Sequence, residues 1–189
     1  MENFAVVPRS ALCLIPSQSL WAPIQAIREK HDRQIHRWMP HINVLYPFYE
    51  DKNQNLEICV QNCVETCKSI SPITLTLDKD SFDHFGHKNS CTLLLKPRES
   101  ETNQLRELQR KLQLTFPQAG DKRFPEFKPH LSLGQFNQSD VQLYKRKFVE
   151  EWKSADTCLE WTVDRVFMIS RADTNSPFEI RQTVTLGPD

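Results

Sequence analysis

The chain predicts an α+β fold of two lobes related by an approximate internal two-fold. Three observations carry this. Helical and strand patterns follow one another in an order that repeats: strand, helix, strand, helix, strand, strand, then helix, strand, helix, strand, strand. One strand in each half opens on the same dipeptide, Pro-His, and the two histidines stand 89 residues apart (130 minus 41). A length of 189 residues suits one sizeable domain, or two small lobes sharing a core, and folds without disulfide staples.

The elements follow in order. "SALCLI" (10–15) is a short apolar strand ended by "PSQS". From Leu20 to about Trp38, Leu20, Ile24, Ile27 and Ile35 recur at helical spacing, with His31 on the same stripe. Pro40 stops that helix and opens a strand over 41–46. The period of 54–70 is helical and stacks Cys59, Cys63 and Cys67 along one face. With no CxxC and no nearby histidine, these read as buried thiols rather than a metal or redox cluster. "ITLTL" (73–77) and "CTLLL" (91–95) are strands by alternation and β-branching, with a turn over "DHFGHKNS" (83–90) between them. A helix over 99–114, a loop rich in Pro, Phe and charge over 117–129, a strand over 130–136 and a helix over 139–153 come next. "LEWTVDRVFMIS" (159–170) and "FEIRQTVTL" (178–186) are the closing strands, joined by "RADTNSP".

Composition excludes several function classes. Lys+Arg and Asp+Glu both number 24, so the net charge is zero and any nucleic-acid contact is local rather than a broad basic face. The first residues lack a basic stretch followed by a long apolar run, and nothing approaches the roughly 20 apolar residues of a membrane span. Six cysteines without a secretory signal fit a reduced, cytoplasmic or nuclear protein. Only four glycines are present, and neither a Gly-rich phosphate loop nor a GxSxG elbow occurs.

The informative segments are "PHINVLYPF" (40–48) and "PHLSLGQF" (129–136). Residues two apart on a strand share a face. His41 and Asn43 therefore point one way and Ile42 and Val44 the other. His130, Ser132 and Gly134 oppose Leu131 and Leu133 in the same manner. Each strand buries one face and offers an imidazole with a small polar group on the other. Opposed across a cleft, such strands suit a phosphodiester. One neutral and one protonated imidazole serve as general base and acid on either side of phosphorus. Ser132 and Asn43 donate to the non-bridging oxygens, where charge builds. No metal or other cofactor is required.

The paired signatures resemble the His-x-Thr/Ser-apolar motifs of the two-histidine (2H) phosphoesterases, the LigT-like, 2',5' RNA ligase-like superfamily. The likeness spans essentially the whole chain, including "FEIRQTVTLG" as a closing strand. It implies a single bilobal LigT-like domain over 1–189, with antiparallel sheets lining a central cleft and helices outside. It also implies metal-independent cleavage of 2',3'-cyclic phosphates, 2',5' linkages or related RNA ends. On that likeness His41 and His130 are the acid/base pair and Ser132 is a phosphate donor. Asn43 departs from the usual Thr or Ser. It keeps a donor, and it leaves a second reading open: a nucleotide- or RNA-end-binding module that retains the fold without catalysis. The expected partner is an RNA end, an oligonucleotide or a cyclic nucleotide, bound by a monomer.

Further binding residues are expected around this pair. Phe124 lies in a polar loop where an aromatic ring stacks on a base, and Lys128 shares strand parity with His130 and meets phosphate. Phe85 and His87 reach the cleft from their turn. Trp38 reads as a packing residue at the end of the first helix.

Overall fold

The computed structural model describes residues 4–52, 54–123 and 126–188. Eleven strands and four α-helices follow the expected order among those residues. They are β1 (Val6–Val7), β2 (Ser10–Leu14), α1 (Trp21–His31), β3 (Ile42–Leu45), β4 (Phe48–Tyr49), α2 (Asn55–Cys67), β5 (Ile73–Leu77), β6 (Phe82–Gly86), β7 (Cys91–Leu95), α3 (Glu99–Thr115), β8 (Leu131–Phe136), α4 (Val141–Ser154), β9 (Leu159–Val163), β10 (Arg165–Ser170) and β11 (Glu179–Thr185).

The antiparallel sheets do not divide the chain at its midpoint. One has the order β11-β10-β2-β3, so the C-terminal hairpin completes the sheet that holds the first histidine strand. The other has the order β6-β7-β8, placing the second histidine strand beside strands from the first half. β5 and β9 pair with each other, and α1 packs on β8 while α3 touches β3. Every such contact joins the halves. A continuous apolar core accordingly draws Leu14, Ile42, Leu93, Leu131, Trp161 and Val184 together.

Helix faces follow from spacing. Leu105, Leu108 and Leu112 of α3 are buried, as are Cys59, Cys63 and Cys67 of α2, and the Cys63 and Cys67 sulfurs lie 3.8 Å apart. Glu101 starts α3 by accepting from the Arg98 N–H at 2.9 Å and anchors it to β5 by accepting from the Thr76 N–H at 3.1 Å. Among the described residues, no helix is long and apolar enough to cross a membrane.

Four expectations are corrected. The first helix ends at His31, not Trp38. Asp32 leaves helical geometry, and its carboxylate takes the Gln34 N–H at 2.9 Å, so 32–38 becomes a run of turns. The first half of "DHFGHKNS" is strand rather than turn, because Phe82–Gly86 form β6 and pair in full with β7. "LEWTVDRVFMIS" is two strands in different sheets, broken at Asp164, whose carbonyl accepts from the Leu186 N–H.

The fourth correction concerns faces. Pairing of β7 with β8 steps from Leu93↔Gly134 to Leu94↔Ser132, which makes Leu133 the extra residue of a β-bulge. Leu93 and Leu94 face opposite ways, so Ser132 and Gly134 do too. Gly134 therefore turns away from Ser132 and toward α1, where a Cβ would meet His31 at 2.8 Å. The first histidine strand has the same device. β2 and β3 step from Leu12↔Leu45 to Cys13↔Asn43, leaving Val44 extra. Each bulge falls three residues after its histidine, a structural counterpart of the sequence repeat.

Candidate active site

The Pro-His dipeptide has a structural purpose. Proline restrains the residue before it to extended geometry. The carbonyl two places before the histidine then lies beside its ring. His41 Nδ1 donates to the Met39 carbonyl at 2.7 Å, and His130 Nδ1 donates to the Lys128 carbonyl at 2.8 Å. Each ring is thereby held in one orientation, with Nε2 as its working nitrogen.

Around His41 the contacts are close. Asn43 Nδ2 donates to His41 Nε2 at 3.1 Å, while Asn43 Oδ1 is buried with no hydrogen-bond partner among the described residues. The Trp38 indole stacks on the imidazole at 4.5 Å between centroids and 16° between planes, and on its other side lies Phe178 at 3.8 Å. Burial pushes the His41 pKa down to about 4, and the charges of Arg28 and His130 push the same way against the Met39 hydrogen bond and Asp32. His130 is thus within electrostatic reach of His41.

His130 has a different neighbourhood. Phe85 meets it edge-on at 5.0 Å and 86°, and burial lowers its pKa against the Lys128 hydrogen bond. No described residue bonds its Nε2. Ser132, half-buried and opposite Leu94 on β7, has a hydroxyl without a partner among the described residues. A groove of about 690 Å³ runs outward from His130, lined among others by Phe85, Lys96, Arg98, Arg106 and Lys128. His41 lies outside that groove.

The structure brings Phe85 and Lys128 to His130: the Lys128 carbonyl takes the His130 Nδ1–H, while the Lys128 ammonium pairs with Glu126 at 3.4 Å. His87 is one ring further away. It touches Phe85 at 5.3 Å and shares a hydrogen bond with the Thr92 hydroxyl at 3.1 Å, and it does not line the groove. Phe124 lies outside the described residues. Trp38 does more than pack, because its ring covers His41. Its position three residues before the histidine is the signal for this contact, and the helical spacing that carries on to Trp38 hides it. Gln135 carries no local signal, since its contact with Asp32 is made across the fold, whereas the i, i+4 spacing of Arg28 and Asp32 is a signal legible in the sequence. Among the described residues, no group of three His, Cys, Asp or Glu side chains is arranged to hold a metal.

Two sheets, each with a histidine anchored through Nδ1 at the head of one strand, form a scaffold of the two-histidine phosphoesterase type. A family model described as the 2'-5' RNA ligase superfamily matches residues 16–175, and the chain belongs to that superfamily. Three solved structures show the same fold at low identity. Apo E. coli LigT superposes with a TM-score of 0.63 at 15% identity, covering 97% of this chain and 99% of LigT. E. coli LigT complexed with 3'-AMP gives 0.61 at 12%, covering 95% and 98%. Kluyveromyces marxianus Usb1 with uridine monophosphate gives 0.54 at 11%, covering 95% and 99%. No curated protein sequence matches the chain.

Proposed function

We propose that this protein is a metal-independent phosphodiesterase acting on RNA ends or small nucleotides with 2',3'-cyclic or 2',5' linkages. The observation that carries the reading is the matched anchoring of His41 and His130 through Nδ1, which commits both Nε2 atoms to the same kind of work. His41, held neutral, takes the proton of the attacking hydroxyl or water on Nε2. His130 gives its Nε2 proton to the departing oxygen. The Ser132 hydroxyl and the Asn43 amide donate to the non-bridging oxygens as charge gathers there. The Asn43 N–H that rests on His41 Nε2 gives way as the attacking hydroxyl or water arrives, freeing the single lone pair of that nitrogen to take the proton and the amide to donate to a non-bridging oxygen. The Phe85 ring, 38% exposed beside His130, offers a face to a base. Relatives of this fold solved with 3'-AMP and with uridine monophosphate favour a nucleotide ligand.

Turnover tests the proposal. The protein is incubated in EDTA with 2',3'-cyclic nucleotides and with 2',5'-linked adenylates, and the products are separated. Hydrolysis should persist in chelator. It should fall about a hundred- to ten-thousand-fold in His41→Ala and in His130→Ala, each of which removes one proton-transfer partner. Losing both should cost far less than the product of the single losses, because the two act as a unit. Full activity in both single variants would refute the mechanism. Abolition by chelator with restoration by zinc or manganese would refute metal independence.

A further inference from the structure

Near His41 lies a polar network that the chemistry above does not use. Arg28 of α1 is only 2% exposed, yet all three guanidinium nitrogens are engaged. Nε donates to Asp32 Oδ2 at 2.9 Å, Nη1 to Gln25 Oε1 at 2.9 Å, and Nη2 to the Trp38 carbonyl at 2.7 Å. The other oxygen of Asp32 accepts from Gln135 Nε2 at 3.2 Å, and Gln135 Oε1 accepts from the Arg33 N–H at 3.0 Å. Gln135 is on β8, five residues beyond His130. The Trp38 ring lies on His41. A continuous chain of contacts therefore runs from the second histidine strand through Gln135, Asp32 and Arg28 to the residue that covers the first histidine.

A buried ion pair is a poor device for stability alone, because desolvating both charges cancels much of their attraction. It is a good device for fixing geometry, since guanidinium and carboxylate accept few arrangements. Here the geometry that it fixes joins the two halves of the site. We propose that Gln135, acting with the buried Arg28–Asp32 pair, is a positioning residue that sets the placement of His41 relative to His130. The inference rests on the paired-histidine reading of the site. Neither Gln135 nor Asp32 is assigned contact with substrate.

The test needs a readout that general destabilisation does not move. The titration of His41 is followed by NMR in wild type, His130→Ala, Gln135→Ala and the double variant. Gln135→Leu, which keeps the volume, serves as a second version should the alanine form fold poorly. Removing His130 takes away a charge that lowers His41, so His130→Ala should raise the His41 midpoint in the wild-type background. In the Gln135 variants that upward shift should shrink, because the coupling between two charges weakens as their separation grows. In parallel, Gln135→Ala should lower kcat about ten- to a hundredfold, the scale of a misplacement near 1 Å, with little change in nucleotide affinity. In a His41→Ala background it should cost little more, since one histidine alone has no partner to be aligned with. An unchanged His130-dependent shift in both Gln135 variants would overturn the proposal. A reduced shift in a protein that turns over no phosphodiester would support the clamp and overturn the phosphodiesterase reading instead.

Discussion

Replacing Gly134 with alanine probes the seam where α1 meets the second histidine strand. A Cβ at this position would lie 2.8 Å from three atoms of His31, two of them its backbone carbonyl carbon and oxygen. Ordinary contact begins near 3.4 Å, so about 0.6 Å of separation (3.4 minus 2.8) must be found between β8 and the end of α1. Backbone atoms cannot swing aside as a side-chain tip would. The His31 ring is itself hemmed in by Phe136 at 4.7 Å, Tyr144 at 5.0 Å and Phe148 at 5.7 Å. Overpacking of this kind costs about 1–3 kcal/mol, which for a chain of this size lowers Tm by a few to about ten degrees. The displaced atoms belong to the residue before Asp32, so the 3.0 and 3.2 Å hydrogen bonds of Gln135 should lengthen as well. Thermal unfolding of Gly134→Ala, together with its turnover of the best wild-type substrate, checks both consequences. A Tm within a degree of wild type and undiminished kcat would show that α1 and β8 do not meet as closely as described.

Acid dependence follows from the two depressed histidines. With His41 near 4 and His130 below the ordinary 6.5, the form with one neutral and one protonated imidazole is most populated between those values. The profile of kcat/KM should therefore be a bell with its maximum on the acid side of neutrality, and a maximum at pH 8 would refute the assignment of His41 as base. Stability has a linked dependence. The unfolded imidazole binds its proton near 6.5 while the folded His41 does so near 4, so stability complete above 6.5 is lost as pH falls toward 4. Chemical denaturation of His41→Asn across that range should show a shallower slope. Ser132→Ala should reduce kcat by about a hundredfold with little effect on nucleotide binding, as for a donor that meets charge only in the transition state. Equal losses in kcat and affinity would make Ser132 a ground-state contact.

Local pattern made much of the molecule readable in advance. Alternation and β-branching located β5, β7 and β8, spacing located α2 and α3 within a few residues, and the repeated Pro-His placed a histidine at the head of a strand in each half. These features are written within a few neighbouring residues, and the forces behind them act over the same range. The errors arose where that range ended. Helical spacing ran on past His31 because Ile35 kept the stripe, whereas the Asp32 carboxylate satisfied the Gln34 N–H and turned the chain. Strand parity put Gly134 beside Ser132 because a bulge depends on the partner strand, and the partner lies some forty residues away. The sequence by itself determined which residues would be imidazole, hydroxyl and amide, and where along the chain the two histidine strands would begin. Only the tertiary structure decided that the C-terminal hairpin joins the first histidine's sheet, that Trp38 covers His41, and that Gln135 reaches Asp32 across the fold. Such contacts form when distant surfaces exclude water together, and no window of neighbouring residues records which surfaces will meet.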